Sequence, residues 1–121
     1  MTYESTVTHA AECCEGVRYT ISRMSFGRRV ELTRLVRELG TRMEFCEAGS
    51  ELTDKLEARL LSAEIDRLYL EWGMVQVSGL ELDGSPATPS TLISAGPEDL
   101  CAEVLDAIKA ECGLSDEERK N

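Results

Sequence analysis

The sequence predicts an α+β fold, mainly helical, in which a helix hairpin and a C-terminal helix pack with a small antiparallel sheet. The hydrophobic fraction of 42% supports a packed core, but only 5% of the residues are aromatic, so that core must be largely aliphatic. Long segments repeat their apolar residues with the period of a helix, and two shorter segments alternate apolar with polar residues as strands do. At 121 residues, the chain has room for one core.

The chain is expected to contain three regions. A flexible N-terminal arm covers residues 1–15, a single globular domain covers residues 16–114, and a charged C-terminal tail covers residues 115–121. The arm is rich in Thr, Ser and Glu, and it is either frayed or an irregular edge strand. The tail is expected to fray because most of its residues are charged.

Two segments have the alternation of β-strands. Over about residues 17–23, apolar residues alternate with polar ones, which predicts a strand with one buried face. Its apolar members are Val17, Tyr19 and Ile21. Residues 75–87 alternate in the same way around Asp83-Gly84, the strongest short-range signal of a hairpin turn. Pro86 keeps the returning strand short or at the edge of a sheet.

The first long helix is predicted to begin after Ser25, whose hydroxyl suits an N-cap. Apolar residues follow at i, i+3, i+4, i+7, i+11 and i+14, the spacing of one helix face. They are Leu32, Leu35, Val36, Leu39, Met43 and Cys46. Gly40 weakens this helix by roughly 1 kcal/mol relative to Ala, which would allow a bend or a second short helix. Arg34 and Arg37 fall on the opposite side, facing solvent or a partner.

The second long helix follows a break at Gly49, with Ser50 as its N-cap, and is predicted to run to about Trp72. Its two leucine-rich rows are expected to adjoin and to form one broad apolar face. The first row is Leu52, Leu56 and Leu60, and the second is Leu61, Ile65, Leu68 and Trp72. Because only a short loop separates the two long helices, they should form an antiparallel hairpin.

Two further helices are predicted near the C-terminus. Thr88 is an N-cap residue followed by Pro89 at the first helical position, so a short helix should begin there. Gly96-Pro97 precedes the last main helix, whose first turn is acidic. The buried residues of that helix are expected to be Leu100, Cys101, Val104, Leu105, Ile108 and Cys112, with Gly113 ending it.

The charge of the chain is unevenly distributed. The net charge of −10 argues against attraction of the whole chain to nucleic acid or to an anionic membrane. Residues 17–42 carry seven Arg and two acids, a net charge of +5, whereas the residues from 43 onward carry six bases and eighteen acids, a net charge of −12. Such polarity suits head-to-tail association into a homo-oligomer, or docking onto a partner of mixed charge. The alternative is a set of solvated helix faces.

No pattern in the sequence indicates an enzyme, and we predict no catalytic, cofactor-binding or metal-binding residues and no cofactor. The only histidine, His9, lies in the N-terminal arm, where a Ser-His or Cys-His pair would lack rigid support. Cys13 and Cys14 near His9 are residue types that bind zinc, but the five cysteines include no CxxC pair. The cysteines on the helices are expected to be small buried side chains.

The location expected from the sequence is the cytoplasm. The first fifteen residues are polar and acidic and lack the basic start and apolar run of a signal peptide. No uncharged apolar stretch approaches the roughly 20 residues that a membrane helix needs. A reducing compartment also suits an odd number of cysteines without regular spacing.

The arginine-rich segment is the best candidate for a binding site. Arginine pairs with carboxylate or phosphate through two parallel hydrogen bonds. The partner-binding residues we predict are Arg28, Arg29, Arg34 and Arg37. A protein partner is favoured over nucleic acid because the rest of the chain is acidic and offers few aromatic side chains for stacking. The remaining alternative is a solvated face without a partner.

The last 50 residues carry a resemblance to known proteins. From Trp72 the chain reads Trp-Gly-Met-Val-Gln-Val-Ser-Gly-Leu-Glu-Leu-Asp-Gly-Ser-Pro-Ala-Thr, then Ala-Gly-Pro-Glu-Asp-Leu, a final helix and an acidic tail. This order is similar to small proteins of tailed phages and prophages, and it resembles most the tail assembly chaperones. The opening of the first long helix, Met-Ser-Phe-Gly-Arg-Arg from Met24, is more distantly similar.

The resemblance implies a protein-binding factor of tail morphogenesis. Such a chaperone binds the tape-measure protein, a long helical client, in the cytoplasm of the bacterial host and is absent from the finished particle. The family has no catalytic motif, so the resemblance adds no site residues. The alternative function is a small regulator that binds nucleic acid or a host protein through its arginine-rich helix.

Overall fold

The computed structural model describes residues 1–114, 118 and 119, so most of the predicted charged tail over 115–121 lies outside the described residues. The structure is α+β and 58% helical, which confirms the predicted fold class. In chain order the elements are β1 (Thr6–Ala10), β2 (Arg18–Ser22), α1 (Phe26–Glu47), α2 (Leu52–Gly73), β3 (Met74–Ser78), β4 (Glu81–Leu82), β5 (Ser85–Pro86), α3 (Pro89–Ala95) and α4 (Glu98–Glu111).

The chain divides into two compact units. The sheet unit comprises Met1–Met24 and Leu70–Asn121, and the helix unit comprises Ser25–Tyr69, so the boundary at Leu70 falls inside α2. The expectation of one globular domain over 16–114 stays a prediction.

The sheet unit is built on a three-stranded antiparallel sheet with the order β1-β2-β3. The predicted strand at 17–23 is confirmed as β2, its central strand. The N-terminal arm was expected to be either frayed or an edge strand, and in the structure its residues 6–10 form the edge strand β1. In β1, Thr6 lies opposite Ser22 and Ala10 lies opposite Arg18. On the other side of β2, Tyr19 lies opposite Val77, and the register shifts between Thr20 and Ile21.

The core of the sheet unit is formed by β2, α3 and α4. The side chains of Ile21, Leu92, Leu100, Val104 and Ile108 are all 0% exposed. Three of the five belong to the stripe predicted for the last helix, and Cys112 is buried as well. The stripe is confirmed only in part, because Cys101 and Leu105 are half-buried.

The turn and the helix caps predicted in the C-terminal half are also present. The β4–β5 turn has positive φ at both Asp83 (52°) and Gly84 (83°), as a two-residue hairpin with Asp-Gly requires. Thr88 caps α3, with its hydroxyl accepting the amide of Thr91, and the Thr91 hydroxyl reciprocally accepts the amide of Thr88. Beyond α4, Gly113 takes a φ of 85°.

The helix unit is the predicted hairpin of α1 and α2. Ser25 caps α1 as expected, since its Oγ accepts the Arg28 amide at 3.2 Å. The second short helix considered at Gly40 does not form, because α1 is one α-helix from Phe26 to Glu47. Helix α2 begins at Leu52, one residue later than an N-cap at Ser50 would place it.

One prediction about the helix unit is wrong. The two rows of α2 do not form one face, because Leu52, Leu56 and Leu60 are 71%, 51% and 53% exposed whereas Leu61 is 1% exposed. At 100° per residue the centres of the two rows lie about 150° apart around the helix, so only the second row can face α1. Leu35, expected in the stripe of α1, is likewise 44% exposed.

Candidate partner-binding surface

The solvent side of α1 is a mixed apolar and basic surface. Val30, Arg34, Arg37 and Thr41 are spaced i, i+4, i+7 and i+11, so they lie along one face of the helix, and all four are exposed. Leu32, the buried residue of α1, projects from the opposite side. The helical period that turns Leu32 inward therefore turns these four side chains outward.

Two open grooves run along this side, and we call them together the arginine face. The first has a volume of about 320 Å³ and is lined by Arg29, Val30, Thr33, Arg34 and Arg37. The second has a volume of about 380 Å³ and is lined by Arg34, Arg37, Glu38, Thr41 and Arg42. Since Arg34 and Arg37 line both grooves, they form the centre of the surface.

The four predicted arginines differ in their positions. Arg29, Arg34 and Arg37 lie together on the arginine face, but Arg28 is half-buried in the first turn and lines neither groove. Arg28 and Arg29 already take part in interactions of their own. Arg42, which sequence reasoning left out of the predicted set, pairs with Glu57 of α2 at 3.9 Å between Nη2 and Oε1.

The guanidinium groups of Arg34 and Arg37 are free to bind a ligand. Among the residues that the structure describes, no side chain pairs with either of them; the contact at Arg37 is its backbone carbonyl, which accepts the Thr41 hydroxyl at 3.1 Å. Exposed guanidinium groups are drawn to carboxylate or phosphate. Because each group is solvated, its pairing with a partner is weak singly and gains strength when several act together.

Exposed aromatic side chains stand at both ends of α1. Phe26 is 88% exposed and Phe45 is 83% exposed. On the helical wheel both lie within about 60° of the centre of the arginine face, and the 19 positions between them span about 28 Å. A ligand that covers the whole surface would therefore meet an aromatic side chain, a basic middle and a second aromatic side chain.

Sequence reasoning missed a second polar cluster, which lies in the sheet unit. The Glu103 carboxylate of α4 accepts hydrogen bonds from the backbone amides of Glu12 at 3.1 Å and Cys13 at 3.0 Å. The Tyr19 side chain also interacts with this carboxylate. Nothing local in the sequence signals this cluster, because Glu103 is about 90 positions away from the turn that it holds.

The cluster changes the acidity of its members. Partial burial tends to raise the pKa of Glu103, but the amides of Cys13 and Glu12 outweigh this effect and lower the pKa below its ordinary value. The pKa of Tyr19 is raised, chiefly by burial and then by the interaction with Glu103. The hydrogen bond to the Cys14 sulfur, 3.2 Å away, is the largest cause that raises the pKa of the Cys13 thiol to about 12. A thiol of this kind is a poor nucleophile at neutral pH.

The other residue types considered in the sequence, histidine and cysteine, are not brought together in a metal-binding arrangement in the described residues. Within the described part of the chain, no three His, Cys, Asp or Glu side chains are placed to hold a metal ion. His9 packs against Tyr19 with ring centroids 5.5 Å apart. Across residues 1–114, 118 and 119, no helix combines the length and the apolar character required to cross a membrane.

The sequence matches no protein-family model, and comparisons of the chain with curated proteins and with solved structures give no match either.

Proposed function

We propose that this chain is a protein-binding factor of phage or prophage tail morphogenesis, which holds a helical segment of the tape-measure protein or of another tail protein on the arginine face of α1. The observation that carries the proposal is the free, exposed pair Arg34 and Arg37 at the centre of two adjoining grooves. The resemblance of residues 72–121 to tail assembly chaperones supplies the process. The work would take place in the cytoplasm of the bacterial host.

The chemistry of the surface favours an amphipathic helix with acidic side chains. Phe26 and Phe45 offer apolar contacts at the two ends, and the arginines offer charge-assisted hydrogen bonds between them. A segment of about 19 helical residues would span the distance between the two aromatic side chains. A long client protein contains many such segments, so a modest affinity for each would keep it coated and still allow release.

Catalysis and nucleic-acid binding fit the surface less well. The Thr41 hydroxyl on the arginine face donates its hydrogen to the Arg37 carbonyl and not to the Glu38 carboxylate, and the free pair offers donors only. Outside residues 17–42 the chain is strongly acidic, which opposes approach to a polyanion. We therefore place the protein among binding factors and not among enzymes.

The experiment that tests the proposal is affinity capture with a charge-reversed surface. The tagged full chain, its R34E/R37E variant and a matched control, R18E/K55E, are expressed in cells that carry the native genome. Captured proteins are identified and quantified by mass spectrometry. The control makes the same change in net charge at two exposed cations outside the arginine face.

We expect the wild type and R18E/K55E to recover a long, helix-rich tail protein, and R34E/R37E to recover about 10- to 100-fold less of it. Equal recovery by both variants would remove the arginine face from the proposal. Recovery of nucleic acid or of one host protein in place of a tail protein would favour the alternative function, a small regulator. In that case, binding of nucleic acid should fall steeply with salt.

A further inference from the structure

The helix unit buries very little of its own surface. Among residues 25–69, all of which the structure describes, the buried side chains are Leu32, Ala58 and Leu61. Helix α1 contributes 22 residues to the unit, and α2 contributes the 18 residues from Leu52 to Tyr69. Helices in water owe most of their stability to the packing of an apolar face, and ordering each residue has a cost in conformational entropy. A hairpin with three buried side chains is therefore short of apolar contacts.

Part of the exposed apolar surface of the unit is a row of leucines on α2. Leu52, Leu56 and Leu60 are 71%, 51% and 53% exposed and lie at i, i+4 and i+8. Leu61 projects from the other side of α2 and is buried. The row therefore points away from α1, and it is separate from the arginine face, which belongs to α1.

The geometry of the row suits contact with an identical row. Side chains at i±4 positions form a ridge, and two such ridges interlock when their helices cross at about −50°, the commonest helix packing in globular proteins. A crossing of this kind uses a short patch around one point. Three leucines centred on Leu56 make a patch of that length, and the row has the same residue type at each end, as a two-fold contact requires.

The distribution of charge determines where two copies can meet. The helix unit has eight basic and nine acidic side chains, a net charge of −1, whereas the rest of the chain has five basic and fourteen acidic side chains, a net charge of −9. Two copies repel each other through their sheet units and not through their helix units. An identical chain is thus a suitable occupant of the row on α2.

We propose that two copies of the chain associate through the Leu52, Leu56 and Leu60 row, with α2 of one copy crossing α2 of the other in antiparallel order. Leu56 lies on the two-fold axis, and Leu52 contacts Leu60 of the partner subunit. Stable interfaces bury roughly 800 Å² on each partner, and three leucines provide less, so we expect a weak and transient dimer.

The dimer leaves both arginine faces uncovered. The proposed function does not require the dimer, and the dimer does not require the proposed function. If both hold, two linked surfaces would bind a long client more tightly than one.

The first test is sedimentation equilibrium of the purified full chain, under reducing conditions and without any partner protein. The weight-average mass of the wild type should rise from 13.4 kDa toward twice that value as the concentration passes from a few to a few hundred micromolar. L56D should dissociate at least about tenfold more readily, since it brings two carboxylates together at the two-fold axis. The matched control is L35D, the same change at a leucine of α1 that is 44% exposed.

A second pair of variants tests the register and separates the contact from the fold. The L52K/L60E variant should still associate, because the antiparallel order brings the new lysine of each copy to the new glutamate of the other. L52E/L60E should associate at least about tenfold more weakly than L52K/L60E. Circular dichroism compares the helix content of the variants.

Four results would overturn the proposal. They are a wild type that stays monomeric at a few hundred micromolar, an L56D that associates as the wild type does, equal weakening by L56D and L35D, and equal weakening by L52K/L60E and L52E/L60E. None of them bears on capture of a tail protein through Arg34 and Arg37, so failure of the dimer is distinguishable from failure of the proposed function.

Discussion

The Glu103 carboxylate accepts a 3.0 Å hydrogen bond from the backbone amide of Cys13, 90 residues earlier in the chain. The neighbouring amide of Glu12 donates to the same carboxylate at 3.1 Å. These two amides belong to the connection between β1 and β2, and Glu103 belongs to α4. One side chain thus ties the edge of the sheet to the helix that packs on it.

The first prediction concerns the stability that this tie provides. We expect E103Q to lower the free energy of unfolding at pH 7 by about 1–2 kcal/mol, because hydrogen bonds to a charged acceptor are worth more than those to a neutral amide. The measurement is urea unfolding of the wild type and the variant. E98Q is a suitable control, since Glu98 is exposed in the first turn of the same helix.

The same pair of proteins has a defined pH dependence. The pKa of Glu103 is lowered in the folded state from its ordinary value of 4.5. Its contribution to stability is therefore fully present above about pH 4.5 and is lost as the pH falls through the lower folded pKa. The difference in unfolding free energy between wild type and E103Q should shrink over that acidic range. A difference that stays constant down to pH 3 would contradict the role assigned to the carboxylate.

The second prediction concerns the reactivity of Cys13. This side chain is exposed, but the sulfur of Cys14 is the largest cause that raises the pKa of its thiol to about 12, so we expect slow alkylation by iodoacetamide at pH 7.5. C14A removes that cause and should increase the rate at Cys13. Rates are read for each cysteine by peptide mass spectrometry. C46A serves as the control and should leave Cys13 unchanged; an unchanged rate in C14A as well would show that Cys14 does not govern the thiol.

The fold could be predicted where its signals are local. The alternation in β2, the cap at Ser25, the Asp83-Gly84 turn and the cap at Thr88 each depend on a few adjacent residues, and all four form. The contact of Glu103 with the β1–β2 connection could not be predicted because it joins distant parts of the chain. The prediction of one broad apolar face on α2 was wrong for another reason. Three leucines at helical spacing show that a row exists, but they do not show whether another part of the protein covers it.

The positions of the arginines on the candidate surface could likewise be predicted only in part. The outward position of Arg34 and Arg37 can be deduced from the helical period alone. The separate position of Arg28 can be deduced from the same period, because Arg28 falls about 150° around the helix from the centre of the arginine face, although the predicted set included it. The sequence does not show that Arg42 is paired with Glu57, which leaves it less available than the two central arginines.

The third prediction concerns a close approach of two glycines. Gly79 has a φ of 79°, and a Cβ there would collide with the carbonyl oxygen of Gly16. We expect G79A to lower the free energy of unfolding by about 2–4 kcal/mol, through backbone strain and steric conflict together. Gly84 has a similar φ of 83° but open space around it, so G84A should cost only about 1–2 kcal/mol. Thermal or urea unfolding measures both, and equal losses would show that the contact with Gly16 is relieved at no cost.

The last prediction concerns Gly40 in the uninterrupted helix α1. No atom lies within 4 Å of a Cβ built at this position, and the backbone is helical on both sides. G40A should therefore gain the helix propensity of alanine without a clash and stabilise α1 by about 1 kcal/mol, raising the melting temperature by about 4 °C. G27A, in the first turn, meets equally open space but should gain less, because the end of a helix is less ordered than its middle. A loss of stability in G40A would mean that α1 needs the bend that a glycine permits.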